Sequence, residues 1–192
     1  DVYDLQQDGL GWIMVLPDFG GESLTQLGVA GRLSLLDFLR LAIKITQLLG
    51  QIHQQQICHK DINPSNIILN PTSKQVQIID FGISTLFSRE GLRRERSKPR
   101  KSRAKGASKS PRLEHQRVPH PNLLEGTLPY VSPEQTGRMN RGIDYRTDFY
   151  SLGVTFYELL TGELPFAYPD EKRHDALELL HSHIAKQAVA PH

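Results

Sequence analysis

Cysteine is almost absent: Cys58 is the single one in 192 residues. That excludes a disulfide framework within the chain and fits a reducing compartment. Long hydrophobic runs are missing as well. No apolar stretch approaches the length of a membrane span and no basic-then-apolar leader opens the sequence, so the expectation is a soluble cytoplasmic protein with no membrane contact. Residues 89–117 are nearly free of large apolar side chains and hold no aromatic. They carry 12 Lys/Arg and 3 Asp/Glu, a local balance of +9, which leaves 11 basic and 18 acidic residues elsewhere, or −7. The net charge of +2 therefore hides an acidic body and one basic insert. Such a tract cannot bury enough surface to offset its ordering entropy and is expected to be disordered. Clustered Lys/Arg would release counterions on an acidic partner, but without aromatics to stack bases, nucleic-acid binding is the weakest reading.

What remains is enough chain for one domain with a real core. Val2 to Gln6 and Trp12 to Leu16 read as short strands joined at the turn dipeptide Asp8-Gly9. Ser34 is placed to cap a long helix, with Leu35, Leu36, Phe38, Leu39, Ile43, Leu48, Leu49 and Ile52 mostly three or four apart. Ile67–Leu69 and Val76–Ile79 read as β-runs around Asn70-Pro71. Thr147 to Leu160 predicts an apolar helix closed by Gly162 and Pro165, and Asp175 to Gln187 a final amphipathic one.

The chemistry is concentrated in His59-Lys60-Asp61-Ile62-Asn63-Pro64-Ser65-Asn66 and, after the next strand pair, Asp80-Phe81-Gly82. One acid stands where a hydroxyl could be deprotonated, and an amide and a second acid where magnesium could be held. A lone D-F-G is usually an ordinary turn; order, spacing and intervening strands together are not reproduced by independent turns. The set resembles the catalytic loop H-R-D-L-x-x-x-N and the D-F-G motif of protein kinases.

That resemblance implies an α+β, protein-kinase-like fold: mainly the α-helical large lobe, plus a hinge and a partial small-lobe strand pair. Residues 1–22 would be the end of the small lobe and hinge, 23–88 and 118–192 the large lobe, and 89–117 an insert in the activation segment. It implies ATP-dependent phosphoryl transfer to Ser/Thr hydroxyls of a protein substrate, with ATP and Mg²⁺ as cofactors. Asp61 would be the base, Asn66 and Asp80 the magnesium ligands, and Lys60 the neighbour of the base in place of arginine. His59 and Phe81 would pack beneath the site and Gly82 would allow the sharp turn. Gly126-Thr127-Leu-Pro-Tyr-Val-Ser-Pro-Glu134 resembles the segment ending in A-P-E, with Thr127 hydrogen-bonded to Asp61. Asp148 resembles the buried helix acid that fixes the catalytic-loop backbone. Trp12 to Glu22 resembles the last small-lobe strand and hinge, where Leu16 and Asp18 would meet adenine, Glu22 the ribose, and Ile68 would complete the nucleotide contacts.

Two decoys are set aside: Asp18-Phe19-Gly20 precedes the catalytic-type loop instead of following it, and Lys44 of Ala42-Ile43-Lys44 lies mid-helix. No G-x-G-x-x-G, no small-lobe strand lysine for the ATP phosphates and no helix glutamate to pair with it precedes the hinge, so the sequence reads as a fragment with most of the small lobe missing. Asn63 stands where a lysine would neutralise the transferred phosphate, which keeps a pseudokinase or docking module open as the alternative. No Ser or Thr lies between Val118 and Gly126, and Glu125 is the only acid there. The run Ser132 to Asp148 resembles the kinase domain of large signalling proteins that continue into ATPase, sensor and histidine-kinase domains. Those would be its partners in a full-length protein.

Overall fold

The computed structural model describes residues 3–9, 11–15, 17–87, 125–137, 142–166, 176–188 and 190. Strands β1 (Asp4–Asp8) and β2 (Gly11–Val15) pair antiparallel, from Asp4↔Val15 to Asp8↔Gly11. The first strand runs later than the Val2–Gln6 expected, because pairing continues down to the residues flanking the turn. Val2 and Leu16 lie outside the described residues, as does the 89–117 insert.

Ser34 begins helix α1 (Leu35–Gln54): its hydroxyl accepts the Asp37 N–H at 3.1 Å and donates to Asp37 Oδ2 at 2.7 Å. Phe38, Leu41, Ile45, Leu49 and His53 form its buried face at helical spacing. With Leu24, Ile62, Ile67, Ile78, Leu152 and Leu159, the apolar members make the main core. Each such side chain contributes roughly 1.5–3 kcal/mol of burial. The expected apolar stripe was too broad. Leu35, Leu36, Leu39 and Ile43 are 68, 56, 47 and 58% exposed, so this helix shows apolar residues on two faces and buries one.

Three strands form the sheet beside the core. β5 (Ile67–Leu69) and β6 (Val76–Ile78) make the hairpin the sequence predicts, with Asn70 Oδ1 accepting the Thr72 and Ser73 N–H groups at 2.9 Å in its turn. β3 (Glu22–Ser23) adds to the other edge of β5. Gly21 makes this approach possible: a Cβ there would stand 2.9 Å from Ile68 Cγ2 and from the Leu69 carbonyl oxygen. A second small ladder joins β4 (Ile57–Cys58) to β7 (Thr85–Leu86).

Helix α2 (Arg146–Thr161) ends at Gly162, in the left-handed conformation, whose N–H reaches the Glu158 carbonyl at 2.8 Å. The sequence suggested an apolar helix, yet Thr147, Asp148, Ser151 and Thr155 are all essentially inaccessible. They form a polar stripe that bonds to neighbouring loops. Helix α3 (Ala176–Ala185) falls inside the predicted 175–187. Among the described residues, no helix is long and apolar enough to cross a membrane.

Candidate active site

Loop 59–66 leaves β4 and is suspended from α2. The Asp148 carboxylate accepts the His59 N–H at 2.9 Å and the Lys60 N–H at 2.7 Å, and His53 Nε2 lies 2.7 Å from it. Three partners make a fully buried carboxylate tolerable. Thr155 adds a longer bond to the Ile62 carbonyl at 3.4 Å. Lys60 is held at φ +73°, a left-handed conformation that side chains other than glycine seldom adopt. Strain of this kind persists only where surrounding contacts over-determine it.

Asp61 is half-buried. Its Oδ1 accepts the Thr127 N–H at 2.8 Å and its Oδ2 accepts Asn66 Nδ2 at 2.9 Å. The expected Thr127–Asp61 bond is thus made by the backbone. The Thr127 hydroxyl instead accepts from Asn63 Nδ2 at 3.1 Å, and that amide also reaches the Asp61 carbonyl at 3.2 Å. Asn63 Oδ1 accepts the Ser65 N–H at 2.9 Å, capping the 3₁₀ turn Pro64–Asn66. Both hydrogens of the Asn66 amide point at Asp61, to its carbonyl and its carboxylate, so the Asn66 oxygen is the atom left for another partner.

The strand leading to Asp80 is clipped to this loop from both sides. Ile79 donates its N–H to the Asn66 carbonyl at 2.9 Å, and its own carbonyl faces His59 Nε2 at 3.0 Å. Asp80 follows, exposed, with Oδ1 accepting the Gly82 N–H at 3.1 Å. The sharp turn belongs to Asp80, at φ +64°, and not to Gly82 as the sequence suggested; aspartate tolerates this region because its short polar side chain bonds locally. Phe81 packs on His59 with ring centroids 4.7 Å apart, although it remains 43% exposed.

Residues 125–127 lie across the loop as a strap. Lys60 Nζ bonds the Glu125 carboxylate. Gly126, at φ +108°, comes so close that a Cβ would stand 3.2 Å from the Lys60 carbonyl oxygen. Gln135, buried, donates to that same carbonyl at 2.9 Å and to the Glu125 carbonyl at 3.4 Å. Sequence reading passed over Gln135 and His53. The only signal for the first was the Ser132-x-x-Gln135 spacing of a capping box, of which the 3₁₀ turn Pro133–Thr136 forms one half: Gln135 Oε1 accepts the Ser132 N–H at 3.0 Å.

Lys60, Asp61, Asn66 and Thr127 are therefore joined in one bonded cluster, with Asp80 tethered through Ile79. The nucleotide-side candidates lie on the adjoining sheet and its approach. Glu22 pairs with Leu69 and is exposed, and the half-buried Ile68 pairs with Ser23. Asp18 is exposed and accepts the Gly20 N–H at 2.8 Å, the turn geometry of a decoy D-F-G. Lys44 reaches the Lys74 carbonyl, as a helix-surface lysine would. Leu16 lies outside the described residues. Burial, reinforced by the Asp148 charge, pushes the Cys58 thiol far up, so it stays protonated and is no nucleophile.

The protein kinase domain family matches residues 2–190. The serine/threonine-protein kinase A of Synechocystis is 33% identical over 174 residues, covering 85% of this chain and 28% of that protein. PrkC, a serine/threonine-protein kinase of Bacillus subtilis, is 29% identical over 168 residues, covering 86% of this chain and 21% of that protein. The hybrid signal transduction histidine kinase G of Dictyostelium discoideum is 29% identical over 194 residues, covering 78% of this chain and 5% of that protein. The chain thus spans under a third of the length of these relatives. With a family match across nearly its whole length, this chain belongs to the protein kinase family, serine/threonine type.

Proposed function

We propose that this chain carries the large-lobe part of an ATP-dependent site that phosphorylates Ser or Thr hydroxyls of a protein substrate in cytoplasmic signalling. The observation that carries the reading is the Asp61 carboxylate, oriented by Thr127 N–H and Asn66 Nδ2 yet only half-buried. Asp61 would accept the proton of the incoming hydroxyl, and holding it in place lowers the reorganisation needed during transfer. Asn63 supports it indirectly by fixing the Thr127 side chain. Lys60 contributes through the strap it anchors.

Members of this family use ATP and Mg²⁺, which supply the transferable phosphoryl group and neutralise its charge. The donor set fits a hard cation: the Asn66 amide has only its oxygen left, and Asp80 is an exposed carboxylate with one oxygen free of the Gly82 bond. Asn66 and Asp80 would hold the metal. Asp18, Glu22, Ile68 and Leu16 are the proposed nucleotide contacts. Further ATPase or sensor domains in a full-length protein are the proposed partners, in keeping with a relative named as a hybrid histidine kinase.

A docking module without turnover is the second reading, and Asn63 favours it, being neutral and already engaged with Thr127 and Asp61. The deciding experiment is calorimetry of Mg·ATP with this chain, followed by phosphoryl transfer from labelled ATP, against Asp80→Asn and Asp61→Asn. The expected outcome is binding lost in Asp80→Asn, and binding kept in Asp61→Asn with transfer down about 10²–10⁴-fold. Binding without transfer in the parent chain would support the docking module.

A further inference from the structure

We propose that Gln135 is a positioning residue for Asp61: its side-chain amide grips the peptide unit joining Lys60 to Asp61 and so fixes the direction in which the Asp61 carboxylate leaves the loop. The consequence for turnover rests on the phosphotransfer reading above; the grip itself does not. That peptide unit is bonded at both edges. Its carbonyl accepts Gln135 Nε2 at 2.9 Å, and its N–H, which belongs to Asp61, donates to His59 Nδ1 at 3.3 Å. A planar unit held on both edges cannot swivel, so the backbone enters Asp61 in one orientation. The unit also needs holding. Lys60 sits at φ +73°, and strain of that kind relaxes unless the neighbours over-determine it. Asp148 holds the N–H of Lys60, and Gln135 holds its carbonyl.

Gln135 is 8% exposed, and both of its polar atoms are used. Nε2 also reaches the Glu125 carbonyl at 3.4 Å, and Oε1 accepts the Ser132 N–H at 3.0 Å. One amide thus joins three stretches of chain: the loop, the strap and the 3₁₀ turn. Gly126 leaves room for it, since a Cβ there would stand 3.4 Å from Nε2 as well as 3.2 Å from the Lys60 carbonyl oxygen. All of these partners are backbone groups, so the grip depends neither on the side chains at 60, 125 and 132 nor on any charge. Two donors aimed at carbonyls and one acceptor aimed at an N–H is a pattern that a carboxamide supplies and a carboxylate does not.

The test compares the full 192-residue chain with Gln135→Glu and Gln135→Met, by residue-resolved amide hydrogen exchange and by phosphoryl transfer from labelled ATP. Gln135→Glu keeps an acceptor for the Ser132 N–H but sets an oxygen against the Lys60 and Glu125 carbonyls. Gln135→Met keeps the length, removes every bond, and decides the matter if the buried carboxylate prevents folding. Exchange at Asp61 is expected to rise roughly tenfold in both variants, and at Ser132 in Gln135→Met alone, while Ile45 and Leu49 in the core stay within about twofold. Transfer should fall roughly tenfold in kcat with KM for ATP unchanged. Unchanged exchange at Asp61 in a folded variant overturns the proposal and leaves Gln135 as a cap for its turn. So does a parallel rise at Asp61, Ile45 and Leu49, which would mean general destabilisation, and so does an unchanged kcat where Asp61 protection is lost. Loss of Asp61 protection in a chain that shows no transfer at all would uphold the grip and sink the phosphotransfer reading alone.

Discussion

Helix α2 carries two buried polar centres two residues apart, and they are built to opposite rules. Asp148 is 0% exposed and has the His59 N–H, the Lys60 N–H and His53 Nε2 around it. Tyr150 meets His183 of α3, with the phenol 2.7 Å from Nδ1, while the buried Nε2 has no hydrogen-bond partner among the described residues. The first centre satisfies a charge and uses it to fix the loop that presents Asp61. The second avoids charge. Burial lowers the His183 pKa from 6.5 to about 4 and pushes the Tyr150 phenol well up, with the Glu134 charge adding to the latter. A saturated buried ion gives a rigid platform; an unsaturated buried pair stays neutral and makes stability depend on pH.

The largest effect should come from breaking the saturated centre. Asp148→Asn keeps the shape but replaces one acceptor oxygen with a donor, which must then face N–H groups. It also withdraws the charge that partners His53. Stability is expected to fall by about 3–5 kcal/mol, the usual cost of breaking a buried, hydrogen-bonded charge. Urea unfolding followed by circular dichroism would measure it. A loss below about 1 kcal/mol would mean that the loop is held by its other contacts and not by the Asp148 carboxylate.

How much of this was legible beforehand differs between the parts. Ser34, Asn70 and Gly162 marked element ends correctly because capping and turn chemistry is local. Asp61, Asn66, Thr127 and Asp148 were singled out together from motif order and spacing, and the structure brings them into one bonded cluster. The two-residue strands β3, β4 and β7 were not, since two residues cannot display an alternation. Periodicity gave α1 an apolar stripe but could not say that Leu36, Leu39 and Ile43 face outward, because that depends on which neighbours arrive. Nor could the sequence separate the Thr127 N–H from its hydroxyl, or give the left-handed turn to Asp80 over Gly82. Both depend on backbone direction, which side-chain identities do not encode.

The second effect tests the neutral centre through pH. Above 6.5, His183 is uncharged in both folded and unfolded chains, and its contribution to stability is fully present. As pH falls, the unfolded chain takes up a proton near 6.5, whereas the folded chain resists until about 4. Stability is therefore lost progressively between those values and levels off below them. The loss attributable to this group is on the order of 1–3 kcal/mol. Denaturant unfolding from pH 7.5 down to 4.5, with His183→Phe as reference, should show a slope that the variant lacks. Equal slopes in both proteins would remove His183 as the cause.

The smallest effect separates the two causes that could keep His183 neutral. Burial lowers its pKa, and the Tyr150 hydroxyl lies 2.7 Å from the imidazole. Tyr150→Phe removes one neutral hydrogen bond and leaves the surrounding burial, including the Phe166 ring 5.0 Å from the imidazole, in place. The whole stability curve should drop by about 1 kcal/mol while its slope between pH 6.5 and 4 is unchanged. A flattened slope would show that the hydroxyl, and not desolvation, sets the protonation of His183. The contrast with Asp148 would then narrow, since both centres would depend on a specific bond instead of on charge satisfied in one and excluded in the other.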